Sequence, residues 1–157
     1  MAGEEMTSIR APRSAGVPEA WKRFLRAHSA ITRQMDADLI AGHGLTLSDY
    51  EVLLHLAQAP ERRMRRVDLA EGVVLSQSGI TRALAGLEDA GWVERASCDS
   101  DRRVVYAQLT DAGYEQLRIA SRTHLEGIRA LFSSRFSQEE LETLAELLDR
   151  CLPEPAS

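Results

Sequence analysis

Five polar residues on one short segment are the chain's clearest candidates for recognition chemistry: Ser76, Gln77, Ser78, Thr81 and Arg82. On a helix capped by Ser76, the other four would share a face opposite the apolar residues Ile80, Ala83, Leu84 and Leu87. Hydroxyl, amide and guanidinium groups on short or medium arms reach the base edges or phosphates of a DNA groove, and the helix start itself favours a phosphate. A solvated amphipathic helix shows the same pattern, so this face alone leaves both interpretations open.

A charged loop between two strand-like segments is the second candidate. Arg102 and Arg103 stand there beside Asp99 and Asp101. Paired arginines on a projecting loop can enter a narrow minor groove, where the negative potential of DNA is strongest. We expect Asp101 to form a local ion pair that orients one arginine and leaves the other for DNA. A solvated turn whose charges neutralise one another is the alternative.

The elements that must position these residues follow from apolar spacing, capping residues and turn residues. The pattern predicts four helices, a hairpin and two further helices. The helices are expected to begin at or near Pro18, Thr46, Arg65, Ser76, Thr110 and Ser137. Only two strands are expected, Trp92–Ala96 and Val104–Leu109. Two short helices followed by a hairpin form a winged helix-turn-helix, whose second helix lies in the major groove.

The last two predicted helices carry apolar stripes that we expect to point inward. On the fifth helix the stripe consists of Leu117, Leu125, Ile128, Leu131 and Phe132. On the sixth it consists of Leu141, Leu144, Leu148 and Cys151.

Length and charge agree with one domain that has a basic middle. The chain has 157 residues, a mass of 17.4 kDa and a net charge of −5. Residues 62–103 nevertheless hold eight arginines against seven acids, whereas residues 1–61 sum to −2 and residues 104–157 to −4. The longest apolar run, Val104–Ala107, is far shorter than the roughly 20 residues of a membrane span. We therefore expect a cytoplasmic protein with no membrane partner.

Catalytic, metal and cofactor chemistry find no support in the residue spacing. His28, His43, His55 and His124 show no metal-ligand spacing, and no nucleophile elbow, phosphate loop or dinucleotide fingerprint occurs. The only cysteines, Cys98 and Cys151, do not form a redox or metal motif. An enzyme, a metal site and a cofactor are therefore not expected.

Several segments together resemble the MarR family of bacterial transcription regulators, over nearly all of the chain after the N-terminal arm. These are Arg66–Ala70, Ser76–Arg82, Leu87–Arg95, Asp99–Arg103 and Leu109–Gly113. The resemblance places the recognition-helix start at Ser76–Arg82, the wing tip at Arg102 and Arg103, and the wing-bracing acid at Asp101. Gly72 departs from the pattern, because a better helix former is usual at the end of the third helix.

The resemblance also implies a homodimer built from the first, fifth and sixth helices. The fold class is then mainly α, a winged helix-turn-helix with flanking long dimerisation helices. The expected divisions are a flexible arm (1–17), an N-terminal dimerisation helix (18–45), a DNA-binding lobe (46–109) and C-terminal dimerisation helices (110–153).

Members of the family commonly respond to small phenolic or other anionic ligands, so the resemblance implies an effector cleft. Residues expected near inward faces, and hence candidates to line it, are Trp21, His28, His55 and Arg122. A lone histidine or tryptophan on an apolar helix face is, however, more often an ordinary core residue with one satisfied hydrogen bond. Some relatives sense peroxides through a cysteine near the first helix, but this chain has no cysteine in that segment. Cys98 is expected to be an inert surface thiol.

The function expected from these features is a dimeric, sequence-specific regulator that binds a pseudo-palindromic operator in double-stranded DNA. Repression relieved by a small-molecule ligand is the expected mode. The alternative is a dimeric winged-helix interaction module whose basic lobe docks an acidic protein and does not bind an operator.

Overall fold

A computed structural model describes residues 16–73, 75–97 and 103–152, with the side chain of Gln77 left out. The chain divides into two units, residues 1–33 and residues 34–157. The described part of the first unit, after Gly16, belongs to helix α1. The described remainder of the chain, in the second unit, holds the buried core.

The described elements are mainly helical, as predicted. The helices are α1 (Val17–His43), α2 (Leu47–Gln58), α3 (Arg66–Gly72), α4 (Gln77–Asp89), α5 (Asp111–Ser133) and α6 (Gln138–Asp149). The strands are β1 (Arg63–Arg65), β2 (Val93–Ser97) and β3 (Val105–Leu109). They form an antiparallel sheet in the order β1-β3-β2. None of the helices described is long and apolar enough to span a membrane.

Capping residues set the helix starts where the sequence predicts them. Thr46 and Ser137 each form a reciprocal capping box, with Asp49 and Glu140 respectively. Thr110 caps α5 by accepting a hydrogen bond from the backbone N–H three residues on. Each such side chain satisfies a backbone donor that the first turn leaves unpaired. The four-helix, hairpin, two-helix order is therefore confirmed.

The core fills the space between α2, α3, α4, the sheet and the start of α5. Its fully buried side chains include Leu39, Leu45, Leu53, Leu56, Leu69, Leu84 and Leu87. Five of these seven leucines belong to the predicted lobe, residues 46–109. Helix α4 and the hairpin β2–β3 therefore pack on the same hydrophobic core.

The expectation of only two strands is wrong, because β1 adds a third. Arg63–Arg65 pairs with β3, with Met64 opposite Ala107. Two arginines around one methionine give no apolar alternation, so the strand depends on its partner rather than on its own sequence. Arg65, predicted to start the third helix, instead ends β1, and α3 begins at Arg66.

The predicted inward stripes of the last two helices are only partly covered in the single chain. Leu117 is buried, but Leu125 and Leu148 are exposed, as is Cys151. The remaining stripe residues are half-buried, and no described residue of α6 is buried. The expectation is thus wrong for Leu125, Leu148 and Cys151 within one copy, because no described element covers them.

Candidate nucleic-acid interface

The two faces of α4 separate as the sequence predicts. Ile80, Leu84 and Leu87 are buried in the core, which fixes the rotation of the helix. Ser78, Thr81 and Arg82 are exposed on the other side. The fourth predicted contact, Gln77, lies on α4, and its side chain is outside the described residues. A polar face of medium-length side chains is therefore presented to solvent.

Ser76 organises the first turn of α4. Its hydroxyl oxygen accepts a hydrogen bond from the Gly79 backbone N–H at 3.1 Å and lies 3.1 Å from the Ser78 hydroxyl oxygen. A Cβ at Gly79 would lie 3.2 Å from the Ser76 hydroxyl oxygen, so the small residue leaves room for the cap. Ser76 itself remains exposed.

The wing is described at its base but not at its tip. Arg103 is exposed just before β3. Residues 98–102 lie outside the described residues, and they include Cys98, Asp101 and Arg102. The proposed contact of Arg102, the bracing by Asp101 and the state of Cys98 therefore stay predictions.

Thr110 ties the base of the wing to the start of α5. Its backbone N–H donates to the Trp92 carbonyl oxygen at 3.1 Å, and its hydroxyl donates to the Gly91 carbonyl oxygen at 2.7 Å. A Cβ at Gly113 would overlap the Trp92 carbonyl oxygen, so only glycine fits this close approach. The segment Leu109–Gly113 thus has a structural reason for its residue types.

Most described arginines of the basic segment have acidic partners, which charge counting alone did not reveal. The pairs are Arg62 with Asp111, Arg63 with Glu61, Arg65 with Asp68, and Arg66 and Arg95 with Glu88. Arg65 donates to the two carboxylate oxygens of Asp68 at 2.7 and 2.8 Å, and this lowers the pKa of that carboxyl. Less positive charge is therefore available to a ligand than the sequence count suggests.

The four predicted effector residues lie on three helices. Trp21 and His28 are exposed on α1, each stacked on Phe24, with ring centroids 6.0 and 6.3 Å apart respectively. His55 is half-buried on α2 and lines a cleft of 430 Å³. Arg122 is exposed on α5 and is not among the lining residues of that cleft. An effector site built from these residues stays a prediction.

Gly72 packs against one of these effector candidates, which explains its departure from the family pattern. A Cβ at Gly72 would lie 3.3 Å from the His55 ring. The close approach of α2 and α3 therefore favours glycine at the end of α3, and the helix forms despite it.

A polar seam between α2 and α5 was not predicted from the sequence. The His124 ring lies 4.6 Å from the Tyr50 ring, and the Tyr50 hydroxyl lies 3.2 Å from the Ser121 hydroxyl. His124 Nδ1 is buried and has no hydrogen-bond partner among the described residues, and burial lowers the pKa of the ring. Apolar periodicity carries no signal for such a contact, because it depends on the helix pairing.

The helix pair α3–α4, followed by a hairpin whose second strand also pairs with β1, defines a winged helix-turn-helix protein. The chain is similar to AbsC, a MarR family transcriptional regulator from Streptomyces coelicolor, with 33% identity and a TM-score of 0.75. That alignment covers 88% of this chain and 95% of AbsC. Sco3205, a MarR family transcriptional regulator from the same organism solved in complex with DNA, shows 32% identity and a TM-score of 0.77, covering 93% of this chain and 96% of Sco3205.

A MarR family model matches residues 43–104, and the chain belongs to the MarR family. A further relative is the HTH-type transcriptional regulator PecS of Dickeya dadantii, 37% identical over 82 residues. That match covers 52% of this chain and 49% of PecS. The chain thus spans about half the length of PecS.

Proposed function

We propose that this protein is a DNA-binding transcriptional regulator that recognises a specific duplex sequence. The observation that carries the proposal is the exposed polar face of α4. This helix packs on the same hydrophobic core as the strands of the arginine-bearing wing. The 32% identity to Sco3205, a protein solved with DNA, supports it. A helix of this kind enters the major groove with its N-terminal residues toward the bases.

Roles within the interface follow from side-chain chemistry. Ser78, Thr81 and Arg82, together with Gln77, read base edges or adjacent phosphates from α4. Ser76 and the first turn of α4 favour a phosphate, because backbone N–H groups and the helix dipole point there. Arg102 and Arg103 contact the minor groove or its phosphates, with Asp101 bracing the wing.

We propose that the protein acts as a homodimer on a pseudo-palindromic operator. Large apolar side chains stay exposed on the helices outside the lobe; they include Trp21, Phe24, Leu25, Leu125, Leu147 and Leu148. Patches of this kind favour a partner, and a second copy supplies a self-complementary one. Residues 18–45 and 110–153 then form the dimerisation helices, and residues 46–109 form the DNA-binding lobe.

Repression released by a ligand is the proposed mode of regulation. A dimer bound at a promoter blocks access of RNA polymerase to it. The protein would act in the cytoplasm, where a bacterial operator lies. A small phenolic or anionic effector, held by residues such as Trp21, His28, His55 and Arg122, would release it. The effector acts only if it binds more tightly to a dimer whose lobes are mis-spaced for DNA, since differential affinity alone shifts the two states.

Selection from a pool of random duplex DNA tests the proposal. The proposed function predicts enrichment of a short, two-fold symmetric sequence. Failure to enrich any sequence would contradict operator binding and would favour the alternative, a module that docks an acidic protein.

Substitution of two exposed arginines separates base reading from phosphate binding. Arg82→Ala is expected to cost about 1–3 kcal/mol at the selected sequence and to relax preference at one base position. Arg103→Ala is expected to weaken binding to all sequences similarly and to reduce the salt slope by about 1. Titrations of selected and scrambled duplexes over a range of salt concentrations measure both effects, and unchanged binding in both variants would contradict these roles.

A further inference from the structure

Two charged residues stand at helix ends where the local helix disfavours their charge. Glu88 lies in the last turn of α4, near the negative end of the helix dipole. Arg66 is the first residue of α3, near the positive end. Neither charge stabilises its own helix at that position. The role of Glu88 and Arg66 is therefore expected to lie in ion pairs with other elements.

The geometry supplies that pairing, because one carboxylate joins three elements. Glu88 Oε1 lies 3.3 Å from Arg66 Nη2 on α3, and Glu88 Oε2 lies 3.0 Å from Arg95 Nε on β2. The side chain of Glu88 is only 19% exposed and that of Arg66 27%, whereas Arg95 is 65% exposed. The carboxylate is thus the shared, partly buried member, and each of its oxygens holds a different element.

We propose that Glu88 is a positioning residue for DNA recognition. It fixes the C-terminal end of α4 against α3 on one side and against the first wing strand on the other. The base contacts of α4 and the phosphate contact of the wing are then made by one rigid unit. This inference rests on the proposed function.

Because Glu88 is negatively charged, a positioning role can be distinguished from a simple electrostatic effect on DNA binding. Removal of a carboxylate that pairs with two arginines adds one unit of positive charge, and this strengthens sequence-independent binding to phosphates. Loss of positioning weakens only the binding that needs helix and wing contacts together. The affinity for the selected duplex is therefore expected to fall relative to the affinity for a scrambled duplex.

The test compares Glu88→Gln with Glu94→Gln, a matched control that removes the same charge from an exposed position on β2. The probes are the duplex that the wild-type chain selects from a random pool and a scrambled duplex of equal length. For Glu88→Gln we expect the ratio of the two affinities to fall at least tenfold, with scrambled-duplex binding unchanged or tighter. For Glu94→Gln we expect both affinities to rise together and the ratio to stay constant.

Several outcomes overturn the inference. A constant ratio in Glu88→Gln reduces the residue to an electrostatic role, and a lowered unfolding temperature with a constant ratio reduces it to a structural one. If Glu88→Gln does not fold, Arg95→Gln releases the wing strand alone from a largely exposed position, and a constant ratio there overturns the inference as well. If the wild-type chain selects no duplex, the proposed function fails first and this inference falls with it.

Discussion

The winged lobe and the last helix differ most in the burial of their apolar side chains. In the lobe, leucines such as Leu53 and Leu84 are fully buried within one chain. On α6, Leu147 remains 50% exposed and Leu148 41% exposed. The lobe therefore buries its own apolar side chains, whereas α6 has an apolar face that none of the described elements of one copy covers. This difference supports the proposed role of the last helix in a homodimer.

The two regions also differ in charge. Residues 62–103 carry a net charge of +1, and residues 104–157 carry −4. The relatively basic central segment suits a phosphate backbone better than the acidic C-terminal segment does. Burial and charge together support the proposal that the lobe binds DNA and that the terminal helices bind a second copy.

The largest effect is expected in the core of the lobe. Leu84→Ala removes a fully buried side chain of α4 and should lower the free energy of unfolding by about 2–5 kcal/mol. Val67→Ala, at a position 54% exposed on α3, should change it by less than about 0.5 kcal/mol. Urea denaturation measures both, and equal losses would contradict the burial difference.

A double substitution on α6 tests the opposite side of the comparison. Leu147→Glu with Leu148→Glu places two charges on the exposed apolar face and should raise the dimer dissociation constant by about 100-fold or more. Val67→Glu, an equally exposed site in the lobe, should leave the dimer intact. Sedimentation over a dilution series measures both, and an unchanged dimer in the double variant would show that this face is not the interface.

Two glycines of α5 are expected to respond in opposite ways to the same change. Gly113→Ala forces a methyl group onto the Trp92 carbonyl oxygen and should destabilise the fold by about 1–3 kcal/mol. Gly127→Ala meets its nearest neighbours at an ordinary 3.5 Å and should stabilise the helix by about 0.5–1 kcal/mol. Thermal unfolding distinguishes them, and a neutral Gly113→Ala would mean that the wing base is loosely held.

The smallest expected effect is a pH dependence at the seam between lobe and α5. Burial lowers the pKa of His124 from its ordinary value of 6.5, so the folded state favours the neutral ring. Its contribution to stability is complete above pH 6.5 and is lost as the pH falls through the lowered pKa. His124→Phe should therefore reduce the loss of unfolding free energy between pH 7.5 and 5.5, as measured by urea denaturation at the two pH values.

The sequence was most informative where a local rule decides the structure. Helix caps such as Thr46 and Ser137, and the two faces of α4, follow from spacing and hydrogen-bonding capacity alone. Strand β1 could not be predicted, because its pairing with β3 is not encoded in its own three residues. The partners of Glu88 were also missed, although two charges opposed to their helix dipoles gave a usable signal. Contacts between distant segments set both features.

The central claim is that one dimer presents two α4 helices to successive major grooves. A change in the spacing of the two half-sites tests this claim most directly. The measurement is affinity for the selected symmetric duplex before and after insertion of about five base pairs at its centre. Half a helical turn moves one half-site to the opposite face of DNA, so we expect a loss of about 100-fold or more. Unchanged affinity after the insertion would contradict two-site recognition by a dimer.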